Sequence, residues 1–155
     1  MAKPFADIPG SGMHIHCSVY DKSAVNIFAD PSPIDPPRLT LPLRHALAGL
    51  GELLDESMLC LAPNPNSYRR FKAGGFAPSG KSWGYDHREV AFRIPKSSEH
   101  DRRIEHRIAG ADANPYLALA TVLAGIHTGL KLKKDPGPAV PREADLSKDQ
   151  TTLPT

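Results

Sequence analysis

The chain has 155 residues and a formal net charge of +2, with acidic and basic residues mixed along its length. This length allows one domain with a hydrophobic core, and the charge gives no strong field toward nucleic acid or an anionic membrane. No apolar stretch approaches the ~20 residues that cross a bilayer, and residues 1–12 lack the apolar segment of a secretory signal. Cys17 and Cys60 fit neither a disulfide framework nor a zinc spacing, so we interpret both as reduced and expect a cytoplasmic protein.

The first predicted element is a strand that follows the Gly-Ser-Gly segment 10–12 and runs to Tyr20. Apolar or small residues alternate there with polar ones, which is typical of a strand with one buried face. The other face carries His14, His16 and Ser18. Imidazole binds metal ions or nucleotide bases, and glycine permits close approach of a ligand. This face is therefore either a ligand or nucleotide site or a solvated sheet face after a turn.

A helix is predicted from Thr40 to Ala62, where apolar residues recur every three and four positions. Thr40 is a suitable N-cap and Pro42 lies in the first turn. The helix should end at the Pro-Asn-Pro segment 63–65, because proline cannot continue it.

Two further strands are predicted at residues 89–95 and 103–108, each with period-two alternation. The second strand carries Arg103, Glu105 and Arg107 on one face. This pattern is either a surface ladder of salt bridges or a metal-ligating carboxylate between two anion-binding cations.

The last predicted helix begins at Asn114 as N-cap and Pro115 as first residue, and it runs to about Lys133. We assign its apolar positions to Leu117, Ala120, Leu123, Ala124, Ile126 and Leu130. Gly125 and Gly129 are unfavourable inside a helix, so we expect another backbone to approach closely there.

Strands and helices do not alternate strictly, which favours an α+β fold with an antiparallel or mixed sheet and helices on one face. We expect residues 1–134 to form one folded domain and the Pro-rich residues 135–155 to be loose. Arginines at positions 69, 70, 88 and 93 join the histidines and Glu105 in suggesting a site for a polyanion and a divalent cation. There is no Walker P-loop and no G-x-G-x-x-G, so a nucleotide would be held without a glycine-rich phosphate cradle.

Four segments resemble, in this order, the C-terminal catalytic domain of glutamine synthetases: GSGMHIHCSVYD, APNPNSYRRF, WGYDHREVAFRIP and RIEHRIAGADANPYLALA. The resemblance runs from about Lys3 to about Lys133, which implies that residues 1–134 form part of such a catalytic domain. Within the family, APN-x-NSYRRF, the Trp83-Gly84 pair and RIEHR-x-AGADANPYL are most similar to γ-glutamylpolyamine synthetases, the glutamate–putrescine ligases.

The resemblance implies a role for each matched position. His14 matches a ligand of one active-site metal, and Glu105 matches a ligand of another. Arg88 and Arg93 match catalytic arginines around the ATP phosphates, and Arg88 also faces the acid substrate. The implied ATP-binding residues are His16, Ser18, Arg88, Arg93 and Arg103, and the implied glutamate-binding residues are Gly10, Arg70 and Arg107.

The resemblance also implies the reaction. In this family the side-chain carboxylate of glutamate is phosphorylated by ATP with Mg²⁺ or Mn²⁺, and an amine then displaces phosphate to leave an amide. Family members form large homo-oligomeric rings with active sites between subunits, so we expect the enzyme from which this chain derives to form such a ring. From the charge and the lack of a long apolar stretch we expect no nucleic-acid or membrane partner.

Two positions depart from the ammonia-using members. Pro9 stands where they have an asparagine, and Phe76 stands where they have an acid that helps to bind and deprotonate ammonium. We therefore favour a polyamine as the amine substrate. Ammonia remains the alternative, and a non-catalytic member kept for assembly or structure is the second alternative.

The family also carries an N-terminal β-grasp domain and several metal-binding glutamates upstream of this region, and neither is found in these 155 residues. We expect the chain to be a piece of a longer ligase, from a truncated gene or by design, and to be inactive by itself.

Overall fold

The computed structural model describes residues 1–30, 38–72, 76–98, 100–142, 144 and 153. In these ranges the secondary structure consists of strands β1 (Ile15–Cys17), β2 (Trp83–Tyr85), β3 (Phe92–Ile94) and β4 (Ile104–His106) and of helices α1 (Leu41–Glu52), α2 (Leu54–Leu61), α3 (Pro65–Tyr68) and α4 (Pro115–Leu132). The strands form a mixed sheet with the order β1-β4-β3-β2. The predicted α+β class with a mixed sheet is confirmed.

The sheet register places the polar face. β4 is antiparallel to both neighbours, and Glu105 pairs with His16 of β1 on one side and Arg93 of β3 on the other. A row of three polar side chains therefore crosses the sheet. The opposite face carries Phe92, Ile94 and Ile104, which belong to one core with the apolar face of α1.

The three predicted strands are present but shorter than predicted, since each has three residues in the ladder. Strand β2 was not predicted. It is parallel to β3, with Trp83 opposite Phe92. Three residues that include a glycine carry too little periodicity to identify a strand.

The predicted helix over residues 40–62 forms as two helices instead of one. Thr40 caps α1 as predicted, since its hydroxyl accepts a hydrogen bond from the Leu43 amide at 3.3 Å. The helical path is interrupted at Leu53, whose carbonyl accepts a 2.7 Å hydrogen bond from the Ser57 hydroxyl. A side-chain hydroxyl that competes for a helix carbonyl favours such an irregularity.

Helix α4 has the predicted bounds and N-cap, because the Asn114 side chain accepts hydrogen bonds from two amides of the first turn. Its predicted apolar face is largely wrong. Leu117, Ala120, Leu123 and Ala124 are exposed, whereas the buried residues are Ala118, Val122, Gly125, Ile126 and Gly129.

Close packing of α1 on α4 explains the difference. A Cβ atom at Gly129 would lie 1.9 Å from the carbonyl oxygen of His45, and one at Gly49 would lie 2.2 Å from that of Gly125. The predicted close approach at Gly125 and Gly129 is confirmed. The crossing selects the face with the smallest side chains, so the leucines of α4 other than Leu130 are exposed.

The segment after α4 folds back over strand β2. The Val140 amide donates to the Trp83 carbonyl at 2.8 Å, and the Trp83 indole donates to the Gly137 carbonyl at 3.3 Å. The looseness of residues 135–155 stays a prediction, since most positions from 143 onward lie outside the described residues. No helix in the described part of the chain is long and apolar enough to cross a membrane.

Candidate active site

Glu105 is the centre of a charged cluster on the open face of the sheet. Its side chain is only 4% exposed, and both carboxylate oxygens are occupied. Arg93 Nη1 donates to Oε2 at 2.6 Å, and Arg107 Nη1 donates to Oε1 at 2.7 Å. His14 Nδ1 lies 3.0 Å from Oε1. The carboxylate thus lies between two guanidinium groups, but one of them belongs to Arg93 of β3 and not to Arg103 as the strand pattern predicted.

The cluster keeps Glu105 ionised. Burial by itself raises the pKa of this carboxyl, but hydrogen bonds from His14 and Arg93 and the charge of Arg107 hold it well below its usual range. Burial lowers the pKa of His16 despite the attraction of Glu105. On the helix-covered face, burial lowers the pKa of His106 to about 4, so its ring is neutral at pH 7.

Three residues of the predicted ATP site, His16, Ser18 and Arg103, lie near the outer end of β1. The Arg103 Nε donates to Nδ1 of His16 at 3.3 Å, and both side chains reach solvent. Ser18 is exposed on the same face of β1, and its hydroxyl donates to the Arg102 carbonyl at 3.0 Å. His14, His16 and Ser18 therefore share one face with Arg103 and Glu105.

A cavity of about 440 Å³ adjoins the cluster and is lined in part by the predicted glutamate-binding residues. Its wall includes Gly10, His14, Arg70, Phe76 and Arg107. Arg70 is nearly buried and is fixed by a 2.9 Å hydrogen bond from Nη1 to the Ile108 carbonyl. A Cβ at Gly10 would lie 2.7 Å from the Cγ of Arg70, so glycine leaves room for this arginine. Two guanidinium groups in one cavity suit an anionic ligand.

Arg88 is the matched residue least integrated into the cluster. It is exposed on the turn between β2 and β3. Its positive charge still contributes to a lowered pKa of Arg107, for which burial is the larger cause.

Asp86 joins the cluster although sequence reasoning did not select it. Its carboxylate makes an ion pair with Nη2 of Arg93, and its other oxygen lies 3.4 Å from Nη2 of Arg142. Its φ of 47° lies in the left-handed region, which aspartate tolerates better than most residues. Only this backbone preference of an aspartate before a turn could have indicated the position.

The described residues do not by themselves form a metal centre. No group of three or more His, Cys, Asp or Glu side chains among them is arranged to hold a metal ion. Among the described residues, two donors fit such an ion, His14 and Glu105. Glu105 needs a proton on Nδ1 of His14 to accept its hydrogen bond, which leaves the lone pair of His14 on Nε2, a common arrangement for a metal-ligating histidine.

The whole chain, residues 1–155, matches the family model described as glutamine synthetase, catalytic domain. The chain belongs to the glutamine synthetase family. The predicted family is therefore confirmed, and the charged face of the sheet lies within its catalytic domain.

Two curated relatives have names that specify amines. The γ-glutamylputrescine synthetase of Escherichia coli is 48% identical over 130 residues, which cover 84% of this chain and 27% of that protein. The glutamate–isopropylamine ligase of a Pseudomonas species is 39% identical over 88% of this chain and 29% of that protein.

A solved structure of GmaS without ligand has a TM-score of 0.82 and 28% identity, and it covers 99% of this chain and 35% of that chain. This glutamine synthetase family chain thus spans about a third or less of the length of the relatives it matches.

Proposed function

We propose that the enzyme containing this chain joins the γ-carboxylate of glutamate to an amine at the expense of ATP. The observation that carries the proposal is the placement of Arg70 and Arg107 in one cavity beside the Glu105 cluster. One cavity then offers two cations to glutamate, while the neighbouring sheet face offers cations to a polyphosphate.

The proposed reaction has two steps. A γ-carboxylate oxygen attacks the terminal phosphorus of ATP, the bond to the bridging oxygen breaks, and ADP leaves. The amine nitrogen then attacks the carbonyl carbon of γ-glutamyl phosphate, the C–O bond breaks, phosphate leaves, and the nitrogen loses a proton. Positioning and charge stabilisation supply most of the catalysis in such transfers.

The residues divide between the two substrates. Gly10, Arg70 and Arg107 hold the glutamate. Arg88 and Arg93 stabilise the transferring phosphoryl group as catalytic residues. His16, Ser18 and Arg103 bind the remainder of ATP at the outer end of β1.

Among the described residues, His14 and Glu105 would contribute to binding a divalent cation, Mg²⁺ or Mn²⁺. Such an ion, when bound, neutralises charge on the phosphates. The other donors would be phosphate oxygens of ATP and carboxylates beyond the described residues.

We infer that the amine is an alkylamine of the polyamine type. Phe76 lies on the cavity wall with 78% of its surface exposed. A phenyl ring cannot take a proton from ammonium, but it packs against methylene groups, each worth about 0.8 kcal/mol when buried. The names of the two relatives above agree with an alkylamine substrate.

The test is a comparison of kcat/KM for putrescine and for ammonium with saturating glutamate and ATP. Two buried methylene groups predict a preference for putrescine of about tenfold or more. Phe76→Glu should move the preference toward ammonium, whereas Phe76→Leu should retain it. If the unmodified enzyme uses ammonium as well as putrescine, the assignment of the amine is wrong and the ammonia alternative holds. If neither amine supports phosphate release, the non-catalytic alternative holds.

A further inference from the structure

Asp86 is an acidic residue beside the proposed ATP site to which the matched family positions assign no role. It follows directly from the last residue of β2, and its half-buried carboxylate faces the guanidinium of Arg93. Arg93 is held from the opposite side by Glu105. The guanidinium group therefore lies between the carboxylate of Glu105 in β4 and that of Asp86, which follows β2.

The two contacts use different nitrogen atoms of Arg93. Nη1 donates to Glu105, and Nη2 donates to Asp86. Because each terminal nitrogen carries two N–H groups, one donor on each remains for a ligand. A guanidinium fixed at both nitrogens presents the remaining donors in one direction, which is how a planar fork recognises phosphate oxygens.

The backbone holds Asp86 in place for this contact. Its amide donates to the carbonyl of Ile94 at 2.9 Å, and Ile94 is the residue of β3 that pairs with Tyr85. Its left-handed φ of 47° turns the chain at the end of β2. Backbone in this region is maintained only where the surrounding structure determines it, and such positions concentrate at functional sites.

We propose that Asp86 is the positioning residue that fixes Arg93 for the γ-phosphate of ATP. This inference rests on the proposed function. Without the Asp86 carboxylate, Arg93 is free to turn both nitrogens toward Glu105 in a two-point contact. Glu105 also binds Arg107 and His14, so the change also disturbs the glutamate side of the site.

The test replaces Asp86 by Asn in the protein that contains this chain. Asn has nearly the same shape and tolerates the left-handed backbone, but it removes the charge. We expect the unfolding temperature to stay within 2 °C, KM for ATP to rise about tenfold or more, and KM for glutamate to change less. A crystal structure of Asp86→Asn should show the Arg93 guanidinium displaced toward Glu105. Asp86→Gly keeps the backbone conformation without an acceptor and should have the same effects.

Arg142→Ala is the matched control, because it removes the other ion pair of Asp86 and leaves the pair with Arg93. It should leave KM for ATP within twofold. An active enzyme whose KM for ATP is unchanged in both Asp86 variants overturns the proposal. If the unmodified protein does not use ATP, the proposed function fails, and the position of Arg93 in the crystal structures of the variants then decides whether Asp86 fixes it.

Discussion

Glu105 is the residue on which the charged face of the sheet depends. Three cationic or ionisable groups, on Arg93, Arg107 and His14, reach its two oxygens within 3.0 Å. Burying an ionised carboxylate costs little free energy only when such partners pair with it, and burying the partner guanidinium groups likewise requires the carboxylate. Removing its charge leaves Arg107 without its carboxylate partner and leaves Arg93 with Asp86 alone.

Glu105→Gln should therefore lower the free energy of unfolding by about 3 kcal/mol, the usual cost of breaking a buried ion pair. The measurement is a urea titration at pH 7. Glu89→Gln is the control, because Glu89 lies close by in sequence with an exposed side chain and should change stability by less than about 0.5 kcal/mol. Equal stability of the two variants would show that the Glu105 cluster contributes nothing to the fold.

At the scale of elements, the crossing of α1 and α4 is the feature that organises the helical layer. The backbones meet at Gly49, Gly125 and Gly129, so no side chain separates them. Gly51 is on the same helix as Gly49, yet a Cβ there would contact only the Phe92 ring at 3.9 Å. Gly49 is thus required by the helix crossing, whereas Gly51 on the same helix serves as a control.

Gly129→Ala should destabilise the protein by about 3 kcal/mol or more, because the added methyl group forces the two helices apart. Gly51→Ala should stabilise it by up to about 1 kcal/mol, since alanine is the better helix former. Thermal unfolding of the two variants measures both effects. A Gly129→Ala variant as stable as the unmodified protein would contradict the close crossing.

The elements also show what the sequence can predict. Period two located β1, β3 and β4, and the Asn114-Pro115 pair located the start of α4, because these signals are local. The buried face of α4 was predicted wrongly because the prediction assigned leucines to the core by their apolar character alone. Which face is buried depends instead on the close contact of Gly129 with Gly49 of α1, a helix distant in sequence. The role of Asp86 was not predicted for the same reason. Its ion pair with Arg93 forms only because β2 and β3 lie side by side in the folded sheet.

At the scale of the whole molecule, the sheet divides the protein into a structural side and a chemical side. Helices α1, α2 and α4 share one apolar core with the covered face. On the other face, β1 and β4 bring His16 and Glu105 into register although they are 89 positions apart. The candidate site therefore forms only when the complete sheet forms, and its residues were recognisable from the sequence only as separate motifs.

The transfer of oxygen from glutamate to phosphate tests the central claim, that this face activates a carboxylate with ATP. Glutamate labelled with ¹⁸O in its γ-carboxylate is supplied to the enzyme that contains this chain, with ATP and putrescine in unlabelled water. Because the attacking carboxylate oxygen stays on phosphorus when the C–O bond breaks, mass spectrometry should find one labelled oxygen in each phosphate released. Phosphate without label would mean that water attacks ATP directly, and it would contradict the formation of γ-glutamyl phosphate at this site.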